Sequence, residues 1–207
     1  MRKAEWSVTV STARCGMNSS CRDPAGPSAS VAIPSSAIPF TPSPNTARDK
    51  LAIIGGSNGG PLVGACPTQR PDLVGAAVAA VGVVDMLRFD RFGHGTGWTG
   101  DYGSPHDPED FKALIGHSPV HNGRAGTHYP ATLAITGDHD TRVMPMHSFK
   151  FAAALQAAQV GSVPVLLYLE SSSGHGGGTT VTQAIDQTAD IYAFLAKNLH
   201  ITARLRL

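Results

Sequence analysis

Charge is scarce in this chain of 207 residues: Asp, Glu, Lys and Arg supply 15% of it, and the formal net charge is +1. No dense Lys/Arg block appears anywhere, so the electrostatic footprint of a nucleic-acid surface is missing. Nucleic acid is not an expected partner. Long apolar runs are also missing, and no stretch approaches the ~18 uninterrupted apolar residues of a membrane span. The opening, MRKAEWSVTVSTARCGMNSS, is basic at its tip but lacks the apolar centre of a secretory signal. A cytoplasmic chain without a membrane partner is the expectation. Cysteine is sparse: Cys15, Cys21 and Cys66 are odd in number and form no CxxC pair, which argues against a disulfide framework. Asn18-Ser19-Ser20 fits a glycosylation acceptor in form, but without a signal it reads as chance.

What the chain does have is a globular, loop-rich composition, with 42% hydrophobic residues, 23 glycines and 15 prolines. That balance excludes a coiled coil, and the length suits one domain rather than two. Residues 23–46 hold six prolines (24, 27, 34, 39, 42 and 44) among small polar residues. Proline removes a backbone donor and fixes φ, so this stretch disfavours helix and sheet interior alike. Residues 1–48 are therefore expected to be a poorly ordered segment, and residues 49–207 to hold the folded domain.

From residue 50 the pattern alternates. KLAII (50–54), AAVAAV (76–81), ATLAIT (131–136) and VPVLLYL (163–169) read as strands. Their continuous apolar character suits a parallel sheet covered on both faces. MHSFKFAAALQAAQ (146–159) reads as a helix with Phe151, Ala154, Leu155 and Ala158 on one side. Residues 180–199 read as another, with a stripe of Val181, Ile185, Ala189, Tyr192 and Leu195. Strand and helix in alternation predict an α/β sandwich.

The stretch LAIIGGSNGG, residues 51–60, crowds glycines around Ser57 directly after the first strand. Gly55-Gly56-Ser57-Asn58-Gly59 fits G-x-S-x-G, a tight strand-to-helix turn that exposes a serine hydroxyl at its apex. The glycines remove side chains that would collide there, and the N–H of Asn58 would face the negative charge developing on an attacked carbonyl. The same stretch also reads as a purely structural turn. It is not a phosphate-binding loop, because no lysine follows Gly60, and its spacing is not G-x-G-x-x-G.

A nucleophilic serine needs a base and a group to orient it, here expected in the order serine, acid, histidine. Past the third strand comes Gly137-Asp138-His139-Asp140-Thr141-Arg142, with two carboxylates where open parallel sheets concentrate their chemistry. Past the fourth comes Ser173-Gly174-His175-Gly176, a histidine among residues small enough to let it lean toward Ser57. A metal site built from Asp138, His139, Asp140 and His175 is possible by ligand type, but the set lacks a clean two-histidine spacing. The other histidines, at 94, 106, 117, 121, 128, 147 and 200, read as surface or hydrogen-bonded residues. Trp98, in FGHGTGWTGDYGSP, reads equally as a core or a lid residue. Arg142 suits either a bound peptide group or a salt bridge to a local acid.

GGSNGG with QRPDL, WTGDYG, DHDTRV and GHGGG resembles the catalytic domain of the prolyl oligopeptidase family, from about Lys50 to Leu199. The resemblance implies an α/β-hydrolase fold, here an incomplete, mostly parallel sheet flanked by helices. It implies a serine-type endopeptidase that cleaves short peptides on the carboxyl side of proline and needs no metal or organic cofactor. By resemblance Ser57 is the nucleophile, His175 the general base and Asp140 the orienting acid, with Asn58 as an oxyanion donor. Trp98, Tyr102 and Arg142 then contact the substrate. The family's second oxyanion donor is a tyrosine hydroxyl upstream of the serine, and this chain has no tyrosine before Tyr102. The family's propeller and early strands have no counterpart here, so an uncovered sheet edge is expected as a site of self-association. Pro61 is tolerable in a first helical turn, whereas Pro67 is expected to kink or end the helix after Ser57. The alternatives are an inactive or interaction-only remnant of such a domain, or a non-peptidase esterase of the same fold.

Overall fold

The computed structural model describes residues 47–176 and 179–202. The segment expected to be poorly ordered, residues 1–48, lies outside the described residues except for Ala47 and Arg48.

Four strands, β1 (Ala52–Gly56), β2 (Ala76–Ala80), β3 (Ala131–Gly137) and β4 (Val165–Glu170), form one sheet in the order β1-β2-β3-β4. Every neighbouring pair is parallel, in registers that include Ala52↔Ala76, Ala76↔Ala131 and Thr132↔Val165. All four strand expectations coincide with strands to within two residues. Parallel neighbours need a crossover. Helix α1 (Gly59–Gln69) follows β1, α2 (Thr99–Tyr102) and α3 (Pro108–His117) lie between β2 and β3, and α4 (Met146–Ala158) follows β3. Helix α5 (Val181–Asn198) follows β4.

The alternation of side chains along each strand divides the core in two. On one face Ala77, Ala79, Ala134 and Val165 meet Val63 of α1 and Phe151, Ala152, Leu155 and Ala158 of α4. On the other, Ala76, Val78, Ala131, Leu133 and Ile135 meet Phe194 and Leu195 of α5 and Leu199 just after it. Strand β2 is almost all alanine because both faces are covered at close range. A third cluster, Val83, Met86, Phe89, Leu114 and Val143, fills the space beyond the strand ends, with Leu87, Trp98 and Tyr102 against it.

Local sequence fixes the starts of α3 and α5. Asp107 accepts the N–H groups of Glu109 and Asp110 ahead of Pro108, and Thr180 forms a reciprocal capping box with Gln183.

Two points refine the sequence reading and one corrects it. Helix α1 continues two residues past Pro67 and ends at Gln69. Pro67 falls in the last turn, where Thr68 Oγ1 returns to the carbonyls of Gly64 and Ala65. Around Trp98, Gly95–Trp98 is a 3-10 turn that runs into α2. The predicted stripe on α5 is mostly outward, with Val181 78%, Ile185 61% and Tyr192 58% exposed and only Leu195 buried. The helix meets the sheet through its C-terminal half, at Ile191, Phe194 and Leu195, so its first turns overhang. Among the described residues no helix is long and apolar enough to cross a membrane.

Candidate active site

The carboxyl ends of β1, β3 and β4 bring Ser57, Asp140 and His175 to one rim of the sheet. Ser57 holds φ +52°, in the left-handed region that a non-glycine residue enters at some cost. Its N–H donates to the carbonyl of Ala80 at 2.9 Å, and its own carbonyl accepts from Gly60 at 2.9 Å. The turn is thereby pinned to the neighbouring strand and to the first turn of α1.

The surrounding glycines are required by space. A Cβ on Gly55 would stand 2.6 Å from the Gly59 carbonyl oxygen, and one on Gly60 would stand 2.3 Å from Cα of Gly82. Strand and helix can approach this closely only without those side chains.

Ser57 Oγ lies 2.8 Å from His175 Nε2, across 118 positions of sequence. His175 Nδ1 lies 2.7 Å from Asp140 Oδ2. A carboxylate accepts only, so Nδ1 carries the ring proton and Nε2 presents its lone pair to the serine hydroxyl. Asp140 is buried, and its other oxygen accepts the N–H groups of Arg142 at 3.0 Å and Val143 at 2.9 Å. The carboxylate is therefore fixed by its own loop. A relay of this kind can deprotonate a serine hydroxyl and hold the resulting imidazolium in place.

Asp138 does not reach His175. It accepts from His139 Nδ1 at 2.6 Å and from the Ser173 N–H at 3.3 Å. The bond to His139 holds its carboxyl below the usual range. The His139 N–H donates to the Ser173 carbonyl at 3.0 Å, so the acid loop and the histidine loop are stitched together. Among the described residues no group of three or more His, Cys, Asp or Glu could hold a metal ion.

Asn58 is exposed at the N-cap of α1, with its backbone N–H at the helix start. Its side chain makes no capping bond; Oδ1 instead accepts from the Tyr102 hydroxyl at 2.5 Å. Tyr102 and Trp98 are half-buried against the third apolar cluster, and the Tyr102 ring stands edge-on to Phe89 at 5.3 Å between centroids. The side chain of Arg142 is exposed and forms no ion pair among the described residues.

Behind the acid loop lies a buried polar cluster that the sequence reading did not find. Asp85 is fully buried; its Oδ2 accepts from Lys150 Nζ at 2.8 Å, with Arg88 at 3.8 Å, and its Oδ1 faces His121 Nε2 at 3.9 Å. The Asp85 N–H donates to Nδ1 of the buried His147, and burial pushes that imidazole down to about 4. His121 is lowered too, again chiefly by burial. Ser118 Oγ sits 2.8 Å from His121 Nδ1, so Ser118, His121 and Asp85 mimic a second serine relay. Its serine has no exposed surface and accepts the Met86 N–H, which leaves it out of a substrate's reach. The available signal was a single aspartate in the apolar run VGVVDML just past the second strand.

The sequence pattern of the prolyl oligopeptidase family matches residues 42–202. A prolyl endopeptidase of Elizabethkingia miricola is 51% identical over 150 residues, which cover 72% of this chain and 21% of that protein. One of Dictyostelium discoideum is 45% identical over 160 residues, covering 75% and 21%. A solved prolyl endopeptidase superposes with a TM-score of 0.74 at 48% identity, over 76% of this chain and 23% of the other. Prolyl oligopeptidase B of Galerina marginata, bound to a 35mer hydrolysis and macrocyclization substrate, gives 0.73 at 40% identity, over 77% and 22%. The chain thus spans about a fifth of the length of the curated relatives it matches. With a parallel sheet flanked by helices, the residues of the family's motifs at its rim and a match over most of its length, the chain belongs to the prolyl oligopeptidase family of α/β-hydrolases.

Proposed function

We propose that this chain carries the catalytic machinery of a serine peptidase that acylates Ser57 and cleaves short peptides on the carboxyl side of proline. The observation that carries the reading is the contact of Ser57 Oγ with His175 Nε2 at 2.8 Å, backed by Asp140 at 2.7 Å on Nδ1. His175 takes the serine proton as Oγ attacks the carbonyl carbon. Asp140 holds the ring in the required tautomer and stabilises the imidazolium. The Asn58 N–H receives the oxyanion, and His175 returns its proton to the leaving amine as the peptide bond breaks. Water then repeats the sequence, giving its proton to His175 and releasing the acyl group from Ser57.

The relatives named prolyl endopeptidase support the preference for proline. In this reading the Trp98 ring forms a flat platform for the pyrrolidine, and the exposed Arg142 guanidinium offers donors to a peptide carbonyl.

The test is covalent labelling with a fluorophosphonate probe, run beside hydrolysis of a proline-containing peptide amide. Labelling that disappears in Ser57→Ala, together with amide cleavage, is the expected result. Labelling without amide cleavage but with turnover of acyl esters favours an esterase. A folded chain that is never labelled leaves a non-catalytic remnant.

A further inference from the structure

Asn58 is the N-cap of α1, a position where asparagine ordinarily accepts a backbone N–H from the first helical turn. Here it makes no such bond. Its Oδ1 is directed outside the helix, to the hydroxyl of Tyr102, 44 positions away. The Asn58 peptide is also the one that follows a serine held at φ +52°. The carbonyl of that peptide accepts from the Gly60 N–H at 2.9 Å, so the turn itself holds one end and the Tyr102 bond adds a restraint from outside the helix.

We propose that Tyr102 is a positioning residue, whose hydroxyl fixes the Asn58 peptide so that its N–H stays aimed at the oxyanion. This rests on the reading of Ser57 as the nucleophile.

Three features of the structure support the assignment. The Tyr102 ring is not free to follow Asn58, because it stands edge-on to the fully buried Phe89. That ring packs on the same cluster as Val143, whose N–H donates to Asp140. One rigid body thereby supports both the oxyanion side of the site, through the Tyr102 hydroxyl, and the acid side, through Val143. Finally, the hydroxyl's proton is committed to Asn58 Oδ1. In this state Tyr102 acts through Asn58 and does not itself donate to the reacting carbonyl.

An oxyanion donor works only when it is already in place as charge develops. Loss of the tether should therefore slow the chemical step and spare reversible binding. The experiment is the rate of fluorophosphonate labelling of Ser57, measured against probe concentration for the native chain, Tyr102→Phe, Asn58→Ala and the double variant. Asn58→Ala keeps the backbone N–H, and Tyr102→Phe keeps the ring.

Each single change is expected to lower the maximal labelling rate constant roughly three- to tenfold, the worth of one hydrogen bond. The half-saturating probe concentration should not change. The double variant should be no slower than the slower single, because both changes remove the same bond. A native rate in Tyr102→Phe overturns the assignment, as does a double variant whose loss is the product of the two single losses. Should Tyr102→Phe fail to fold by circular dichroism, a native rate in Asn58→Ala overturns it equally. A native chain that is not labelled at all removes the reading of Ser57 and this inference with it. A labelled native chain with unaffected variants removes the inference alone.

Discussion

Lys150 Nζ lies 2.8 Å from Oδ2 of Asp85, joining helix α4 to the segment after β2 across 65 positions of sequence. Asp85 has no exposed surface, while Lys150 keeps one side toward solvent. Removal of one partner from a buried pair strands the other charge, which costs more than the pair itself contributes. Lys150→Met should therefore lower the unfolding free energy by about 3 kcal/mol, at the low end for buried pairs because Arg88 and His121 also face Asp85. The check is urea denaturation of the native chain, Lys150→Met, and Lys150→Met combined with Asp85→Leu. The combined variant should recover most of the loss, and a single variant as stable as the native chain would remove the pair from any structural role.

The approach of α1 to the end of β2 sets a second expectation. At Gly60 an added Cβ would stand 2.3 Å from Cα of Gly82, and backbone offers no flexible group to move aside. Gly60→Ala should destabilise the fold by about 1–3 kcal/mol through overpacking. It should also slow labelling of Ser57, since the helix carries the turn with it. Gly97 is the control, because nothing lies within 4 Å of its Cβ position. Thermal melts of both variants decide the matter: equal losses at the two positions would show that close approach is not what selects Gly60.

His147 makes stability depend on pH in a definite direction. Burial pushes its imidazole from 6.5 down to about 4, against a smaller upward pull from Asp85. The folded chain therefore holds this residue neutral over a range where the unfolded chain protonates it. The sign follows from linkage: stability is full above about pH 6.5 and falls as pH drops toward 4, where the loss levels off at about 3 kcal/mol. His117 and His121 are lowered as well, mainly by burial, and act in the same direction. His147→Gln keeps an acceptor for the Asp85 N–H and should flatten the slope between pH 6.5 and 4 without abolishing it. An unchanged slope in chemical denaturation across that range would show that His147 is not the titrating group.

The rim of the sheet was legible in sequence because each of its parts leaves a local mark. A glycine cluster after a strand has few uses, and two further strand ends carried a carboxylate pair and a histidine among glycines. The four strands were legible for the same reason, since continuous apolar runs have no other covered place in a chain this short of charge. Asp85, His147 and Lys150 left less, a lone aspartate in the apolar run VGVVDML and nothing that paired it with the other two. They come from two separate stretches, and only the packing of α4 against the segment after β2 joins them. The first turns of α5 were misread for a related reason. Val181, Ile185 and Tyr192 keep helical spacing, but spacing records which residues share a face and not whether the sheet extends beneath them. Pro67 left its own mark, since the helix after Ser57 ends within the turn that holds it.

The exposed face of α5 carries the last expectation. Val181, Ile185 and Tyr192 stand outward together, and Leu166 and Leu169 of β4 are each 46% exposed nearby in sequence order. Apolar side chains gathered on one surface favour association, and β4 is also an edge strand among the described residues, with backbone groups on its outer side. The native chain should therefore associate with itself as concentration rises. Two routes are open, the apolar face of α5 and the edge of β4, and they respond differently to charge. Ile185→Lys places a cation in the middle of the helix face and should shift association to higher concentration if that face is the contact. Leu166→Lys puts the charge on the strand and should act if the edge is the contact, since charge on an edge strand opposes pairing. Sedimentation velocity over a wide concentration range distinguishes them, and a native chain that stays monomeric throughout would show that neither surface is a contact between copies.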